Sequence, residues 1–181
     1  MKTTDKIIII DLEATCWQGP VPQGQENEII EIGLAVLDTQ TGTISKNRGI
    51  LVKPQRSKVS SFCTELTTIT PELLDKEGVS FQEAIDRLVD EYAPDLYTWA
   101  SYGQYDLNML KKQCQSFGVP YPMGEEHINV KVLFADVYGL QKPTGMNGAL
   151  HMLNLPLEGT HHRGVDDAKN IAKILHWCLG Q

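Results

Sequence analysis

Two carboxylates one residue apart, Asp11 and Glu13, close a run of four isoleucines at Ile7–Ile10. Side chains alternate along an extended strand, so the two acids project from one face and Leu12 from the other. Carboxylates held that close and partly buried repel each other, and the remedies are a raised pKa or a bound divalent cation. On its own an Asp-x-Glu pair is equally well a solvated strand end. Three more residues bear on the choice. Asp106 falls in the first turn of a helix just beyond a strand, where it could also act only as a partner for the helix dipole. Asp167 heads the stripe Ile171, Ile174, Leu175 and Cys178, which should face the sheet, and an acid at the head of a buried stripe needs a cation or a hydrogen-bond donor. His162 stands in the loop before that helix, a position where a histidine is otherwise a surface residue. Asp166 aligns with Asn170 and Lys173 on a polar face and is explained as a charge favoured by the helix dipole.

The elements that must position these residues can be read from periodicity. Ile7–Ile10 leaves no polar face and predicts a strand covered on both sides. Glu28 to Asp38 reads as a long strand and Thr43 to Lys53 as its partner, so residues 6–53 form an antiparallel meander. Ser61 to Leu66 suggests a short helix. Thr70 followed by Pro71 signals a helix start, and Ser80 caps a helix with Phe81, Ala84, Ile85, Leu88, Val89 and Tyr92 at helical spacing. A strand at Leu96 to Ala100 precedes a helix bearing Leu107, Leu110, Cys114 and Phe117 on one face. A short strand near His127 to Val130, helices at Lys131 to Tyr138 and Gly145 to Leu153, and the helix opened by Asp166 and Asp167 complete the chain. The fold class expected is a mixed α/β sheet, an antiparallel meander plus parallel strands, flanked by helices.

At 181 residues the chain suits a single domain, 1–181, able to bury roughly 70% of its unfolded surface. A net charge of -7 argues against coating nucleic acid by bulk electrostatics, though not against gripping a strand end. Cys16, Cys63, Cys114 and Cys178 are far apart in sequence and form no C-x-x-C, so neither a zinc site nor a redox pair is suggested. Only four apolar residues precede Asp11, too few for a signal-peptide core or a membrane span, and a cytoplasmic location is the expectation.

Asp11-Leu12-Glu13-Ala14-Thr15, Asp106 after a strand, and His162 five positions before Asp167 together resemble the three motifs of the DEDDh 3′–5′ exonucleases, a branch of the ribonuclease H-like fold. The stretches Asp11 to Trp17, Glu28 to Glu31, Phe62 to Thr70 and Gly164 to Ala172 are similar to the subgroup of histone-mRNA 3′-end and RNA-interference exonucleases, which also contains bacterial KapD-like proteins. The resemblance implies hydrolysis of single-stranded nucleic acid from its 3′ end to nucleoside 5′-monophosphates, RNA ahead of DNA. It implies two divalent cations, Mg²⁺ or Mn²⁺, bridged by Asp11, completed on one side by Glu13 and Asp167 and on the other by Asp106, directly or through water. Oxygen-only ligands suit those ions better than Zn²⁺.

His162 would take the proton from the attacking water, and with four acids nearby its pKa in the metal-free chain is expected to be raised. Ala14 and Thr15 would meet the terminal nucleotide, and Leu66 and Thr67 would wedge beside its base. Trp17, Trp99 and Tyr105 are candidate stacking surfaces or ordinary packing, and Lys111, Lys112, Lys142 and Arg163 candidate phosphate contacts or solvated charges. Because the chain begins directly at the nuclease strand, no separate device for selecting structured RNA is expected. Two other readings compete: a catalytically idle KapD-like binding or regulatory protein on the same fold, and an endonuclease of ribonuclease H type.

Overall fold

The strand carrying Ile7–Ile10 is β1 (Thr3–Ala14), and it lies at the centre of a five-stranded sheet. A computed structural model describes residues 3–181. The other strands are β2 (Ile29–Asp38), β3 (Ile44–Leu51), β4 (Tyr97–Ser101) and β5 (His127–Asn129), in the spatial order β3-β2-β1-β4-β5. β1 pairs antiparallel with β2 and parallel with β4, while β2–β3 is antiparallel and β4–β5 parallel. The mixed sheet expected from the sequence is the one observed.

Alternation along β1 feeds two different cores. Ile8, Ile10 and Leu12 face α3 (Phe81–Tyr92) and α4 (Tyr105–Phe117), packing with Phe81, Ile85, Leu88, Leu110 and Cys114. Ile7 and Ile9 face the opposite layer, α5 (Val130–Tyr138), α6 (Met146–Met152) and α7 (Gly164–Leu179), with Phe134, Leu150, Ile171, Ile174 and Leu175 among the buried neighbours. Each fully buried isoleucine contributes roughly 2 kcal/mol of transfer free energy, which is why a strand with no polar face settles at the centre. The small helices α1 (Ser61–Thr67) and α2 (Pro71–Glu77) close a satellite cluster of Ile30, Cys63, Ile69 and Leu74. Ser60, Thr70 and Ser80 each accept an amide N–H three residues on, so all three starts are set by side-chain caps. Among the described residues no helix is long and apolar enough to cross a membrane.

α7 approaches the sheet unusually closely. A Cβ at Gly33 of β2 would lie 1.9 Å from the carbonyl carbon of Gly164, and one at Gly164 would lie 2.8 Å from the carbonyl oxygen of Asp11. Two residues without side chains therefore let the first turn of α7 rest on the backbone beside Asp11, Gly33 being the cross-strand partner of Asp11. Gly33→Ala must push α7 off the sheet. It is expected to lower unfolding free energy by about 3 kcal/mol in urea titration, against a change within about 0.5 kcal/mol for the unobstructed Gly19→Ala. Equal midpoints for the two variants would show that the contact is not tight.

Candidate active site

Asp11 and Glu13 continue the face of β1 that carries Ile7 and Ile9, so they point toward the layer containing α7. Asp167, in the first turn of α7, meets them there: one carboxylate oxygen from each of Asp11, Glu13 and Asp167 lies within 4.8 Å of the others. Asp11 as a residue keeps some surface, but its Oδ2 is shut from solvent and has no hydrogen-bond partner. An orphaned buried oxygen on a carboxylate grouped with two others is what an oxygen-ligated divalent cation would satisfy, and the donor set fits Mg²⁺ or Mn²⁺. Asp106 arrives from the other layer. Its Oδ1 accepts the Leu12 N–H at 2.8 Å, which fixes the start of α4 to β1 and leaves the second oxygen outside the three-oxygen cluster.

The charges are held at a cost. Burial, followed by Asp106, Glu13 and Asp167, raises the Asp11 carboxyl well above its ordinary value. Burial, then Asp167 and Glu31, pushes Glu13 up to about 9. Asp106 rises only to about 6, since the Leu12 N–H opposes burial. Asp167 is raised by burial against a hydrogen bond from His161.

The loop before α7 presents two histidines. His162 adopts a left-handed backbone, φ 66°, which turns its N–H onto Asp167 Oδ2 at 2.9 Å. His161 Nδ1 lies 3.1 Å from Asp167 Oδ1, and the two imidazoles stack with centroids 3.9 Å apart. The His162 pKa is lowered, first by burial and then by His161, with Asp167 acting the other way. The expected rise is therefore overturned: the Asp167 contact goes to the His162 backbone, and the ring is half-buried against a second imidazole. Asp166 does more than complement the dipole, since its Oδ2 accepts the Thr160 N–H at 2.9 Å and braces this loop. Asn170 departs from the polar face assigned to it. It is fully buried and bonds both the carbonyl and the amide of Glu158.

Glu31, absent from the candidate site residues, is wholly buried opposite Glu13. It accepts from Arg163 Nε at 3.3 Å and Nη2 at 3.2 Å and from the Gly164 amide. Asn47 Nδ2 adds a bond to the Val165 carbonyl at 2.7 Å. Arg163 is thus a clamp on α7 and not a free phosphate contact. A carboxylate inside the apolar run Ile29-Ile30-Glu31-Ile32 was the signal that could have found Glu31.

The candidate substrate contacts divide by exposure. Thr15 is fully buried, its hydroxyl accepting the Glu28 N–H at 2.9 Å and bonding Ser57 Oγ at 3.0 Å, so it shapes the loop and cannot meet a nucleotide. Thr67 is likewise buried, its hydroxyl donating to the Cys63 carbonyl at 2.8 Å and accepting from Ile69. Trp99 is a core residue, packed on His127 and donating to the Gly124 carbonyl. Leu66, 37% exposed, and Tyr105, 55% exposed beside Asp106, have free surface, while Ala14 and Trp17 are half-buried. Lys111, Lys112 and Lys142 are exposed. The four cysteines are unpaired, although the fold brings the Cys16 thiol beside Cys63, where burial and that neighbour push it up to about 12.

Residues 8–175 match the exonuclease family RNase_T. Human 3′-5′ exoribonuclease 1 is 32% identical over 180 residues, covering 94% of this chain and 51% of that protein. The 3′-5′ exonuclease eri1 of Schizosaccharomyces pombe is 29% identical over 199 residues, covering 93% and 66%. The chain spans about half the length of the human relative. Among solved structures, the nuclease domain of 3′hExo, a DEDDh family member bound to rAMP, superposes with a TM-score of 0.87 at 30% identity, covering 99% of this chain and 94% of that one. A complex showing 3′-end recognition of a histone mRNA stem-loop by a 3′-exonuclease gives 0.86 at 30% identity, covering 97% and 82%. The ribonuclease H-like exonuclease fold expected from the sequence is the fold of these neighbours.

Between the ordinary carboxyl value of 4.5 and the raised value near 9, the metal-free fold holds a proton on Glu13 that the unfolded chain has released. Stability from this group is complete below the lower value and is lost as pH rises through that window. Asp11→Asn removes one repelling charge. In chelator, its thermal midpoint is expected to exceed that of the wild type by a margin that grows from pH 5 to pH 8, roughly 2–4 °C for each kcal/mol relieved. Saturating Mn²⁺ should raise the wild-type midpoint and leave the variant's unchanged. A margin that does not vary with pH would refute the raised carboxyls.

Proposed function

The chain belongs to the RNase_T exonuclease family, and from that premise we propose that it is a metal-dependent 3′–5′ exonuclease acting on single-stranded ends, RNA ahead of DNA. The observation that carries the reading is the unpartnered Asp11 Oδ2 enclosed with Glu13 and Asp167, with Asp106 and His162 on the flanking elements. Asp11, Glu13, Asp167 and Asp106 would hold two divalent cations, whose chemistry is to offset charge growing on the phosphate and on the departing 3′-oxygen. The rest falls to the chain itself. His162, its pKa lowered, is neutral at working pH and can accept the proton of the attacking water. That water bonds to phosphorus, the bond to the 3′-oxygen of the preceding nucleotide breaks, and the terminal unit leaves as a 5′-monophosphate. Leu66 and Tyr105 offer an apolar edge and an aromatic face for the last bases, a kind of contact that holds any base. The preference for RNA is supported by relatives named exoribonucleases and by the rAMP-bound neighbour.

A 5′-labelled single-stranded RNA and its DNA counterpart, incubated with Mg²⁺ or Mn²⁺, should give a one-nucleotide ladder shrinking from the 3′ end, RNA faster. Asp11→Ala or chelator should abolish it, and His162→Ala should lower kcat by about 10²–10⁴-fold. Internal cuts in a circular substrate, or no cleavage under either ion, would overturn the proposal. Leu66→Ala is expected to raise KM roughly tenfold with a smaller effect on kcat, the size of one lost apolar contact. An unchanged KM would remove Leu66 from the binding surface.

A further inference from the structure

Asp167 belongs to two groups of ligand atoms. On one side it completes the all-oxygen set with Asp11 and Glu13. On the other, one ligand atom from each of His161, His162 and Asp167 also lies within 4.8 Å of the other two. The two sets differ in chemistry. Three carboxylates suit Mg²⁺ and Mn²⁺, whereas two imidazoles and one carboxylate suit Zn²⁺ and its neighbours in the first transition row, which bind nitrogen far more strongly than Mg²⁺ does. We propose that His161, His162 and Asp167 form a second cation site, selective for Zn²⁺, whose occupation shuts off the carboxylate site beside it.

The geometry is partly built. Zinc bonds of about 2.1 Å in a tetrahedral arrangement set ligand atoms about 3.4 Å apart. The His161 Nδ1 to Asp167 Oδ1 separation of 3.1 Å is already close to that edge. A cation bound there takes the place of the direct His161–Asp167 contact. The third ligand needs a small movement: the imidazoles stack with 23° between their planes, and their in-plane lone pairs converge on one ion only after one ring rotates. Both rings are half-exposed. The left-handed His162 backbone and the Asp166 brace on Thr160 keep the loop against the head of α7.

Occupation has two effects on the hydrolysis proposed above, on which this consequence rests. The His162 lone pair that would accept a proton is committed to the ion, and an oxygen of Asp167 is drawn from the all-oxygen set. Zinc bound to the histidines and turnover with Mg²⁺ therefore exclude each other.

Zinc binding can be measured without nucleic acid. The Asp11→Asn chain, in which the all-oxygen set is crippled, is titrated with Zn²⁺ in competition with a chromogenic chelator and compared with Asp11→Asn/His161→Ala. Loss of His161 should weaken zinc binding by at least about tenfold, and the imidazole proton resonances of both histidines should shift together on zinc addition in the first protein. In a second arm, wild type and His161→Ala degrade RNA at saturating Mg²⁺ with increasing Zn²⁺, each normalised to its own zinc-free rate. The zinc concentration giving half inhibition should rise by a similar factor in His161→Ala. Equal zinc affinity with and without His161, or equal sensitivity to inhibition, would overturn the site. If the wild type degrades neither RNA nor DNA, the hydrolytic reading fails while the binding arm still decides whether the zinc site exists.

Discussion

How near α7 can come to β1 is set by a backbone contact between two glycines, Gly33 and Gly164, at the register of Asp11. Everything chemical in the molecule depends on that distance. With the helix head resting on the sheet, Asp167 is carried into range of Asp11 and Glu13. The approach is locked by Glu31, which satisfies the first amide of α7 and the Arg163 guanidinium together. A buried ion pair of this kind contributes little net stability, because desolvation offsets most of the attraction. Its effect is on position: it fixes where one end of a helix lies, and therefore where a ligand carboxylate lies.

Carboxylates inside and outside the cleft show what the fold withholds. Asp38 and Glu158, both partly exposed, have lowered pKa values because backbone N–H groups around the first and lysines around the second act as donors. Asp11 and Glu13 are raised first by burial and then by the neighbouring acids, and Asp11 Oδ2 has no hydrogen-bond partner. The Leu12 N–H goes to Asp106, and Asp106 is the acid whose rise stops lowest of those with a value, near 6. Donors near the cleft are spent on holding α7 in place, through Glu31 and through the His162 amide on Asp167, and not on neutralising Asp11. Asp11 Oδ2 is thus left without a protein partner, a contact that a divalent cation would supply.

Much of this was legible in the sequence wherever the controlling interaction is local. The apolar run of β1, the alternation placing Asp11 and Glu13 on one face, the caps at Thr70 and Ser80, and the stripe headed by Asp167 all follow from periods of two or 3.6 residues. What could not be read depends on partners distant in the chain. Glu31 meets Arg163 and Gly164 across more than a hundred residues, and Thr15 is claimed by Glu28 and Ser57. Trp99 has nothing in its local sequence to say that β4 is covered on both sides. The sign of the His162 shift failed for a related reason. Counting nearby acids predicts a rise, but which atom of His162 faces Asp167 is a matter of backbone conformation at one left-handed residue.

Burying Asp11, Glu13 and Asp167 together destabilises the metal-free fold, and the enclosed Oδ2 of Asp11 is unsatisfied by any protein group. A surface that merely engages a partner gains nothing from such an arrangement, because exposed acids supply the same charge without desolvation. The cost makes physical sense only if a cation returns it, and a cation among oxygen ligands with one face open to solvent is equipped to act on a phosphate. The half-exposed histidines stand beside these acids, on a loop that Asp166 and Asp167 tie to the head of α7. A strand and a helix fix the ligand carboxylates, and the half-exposed loop between them and solvent carries the group proposed to exchange a proton.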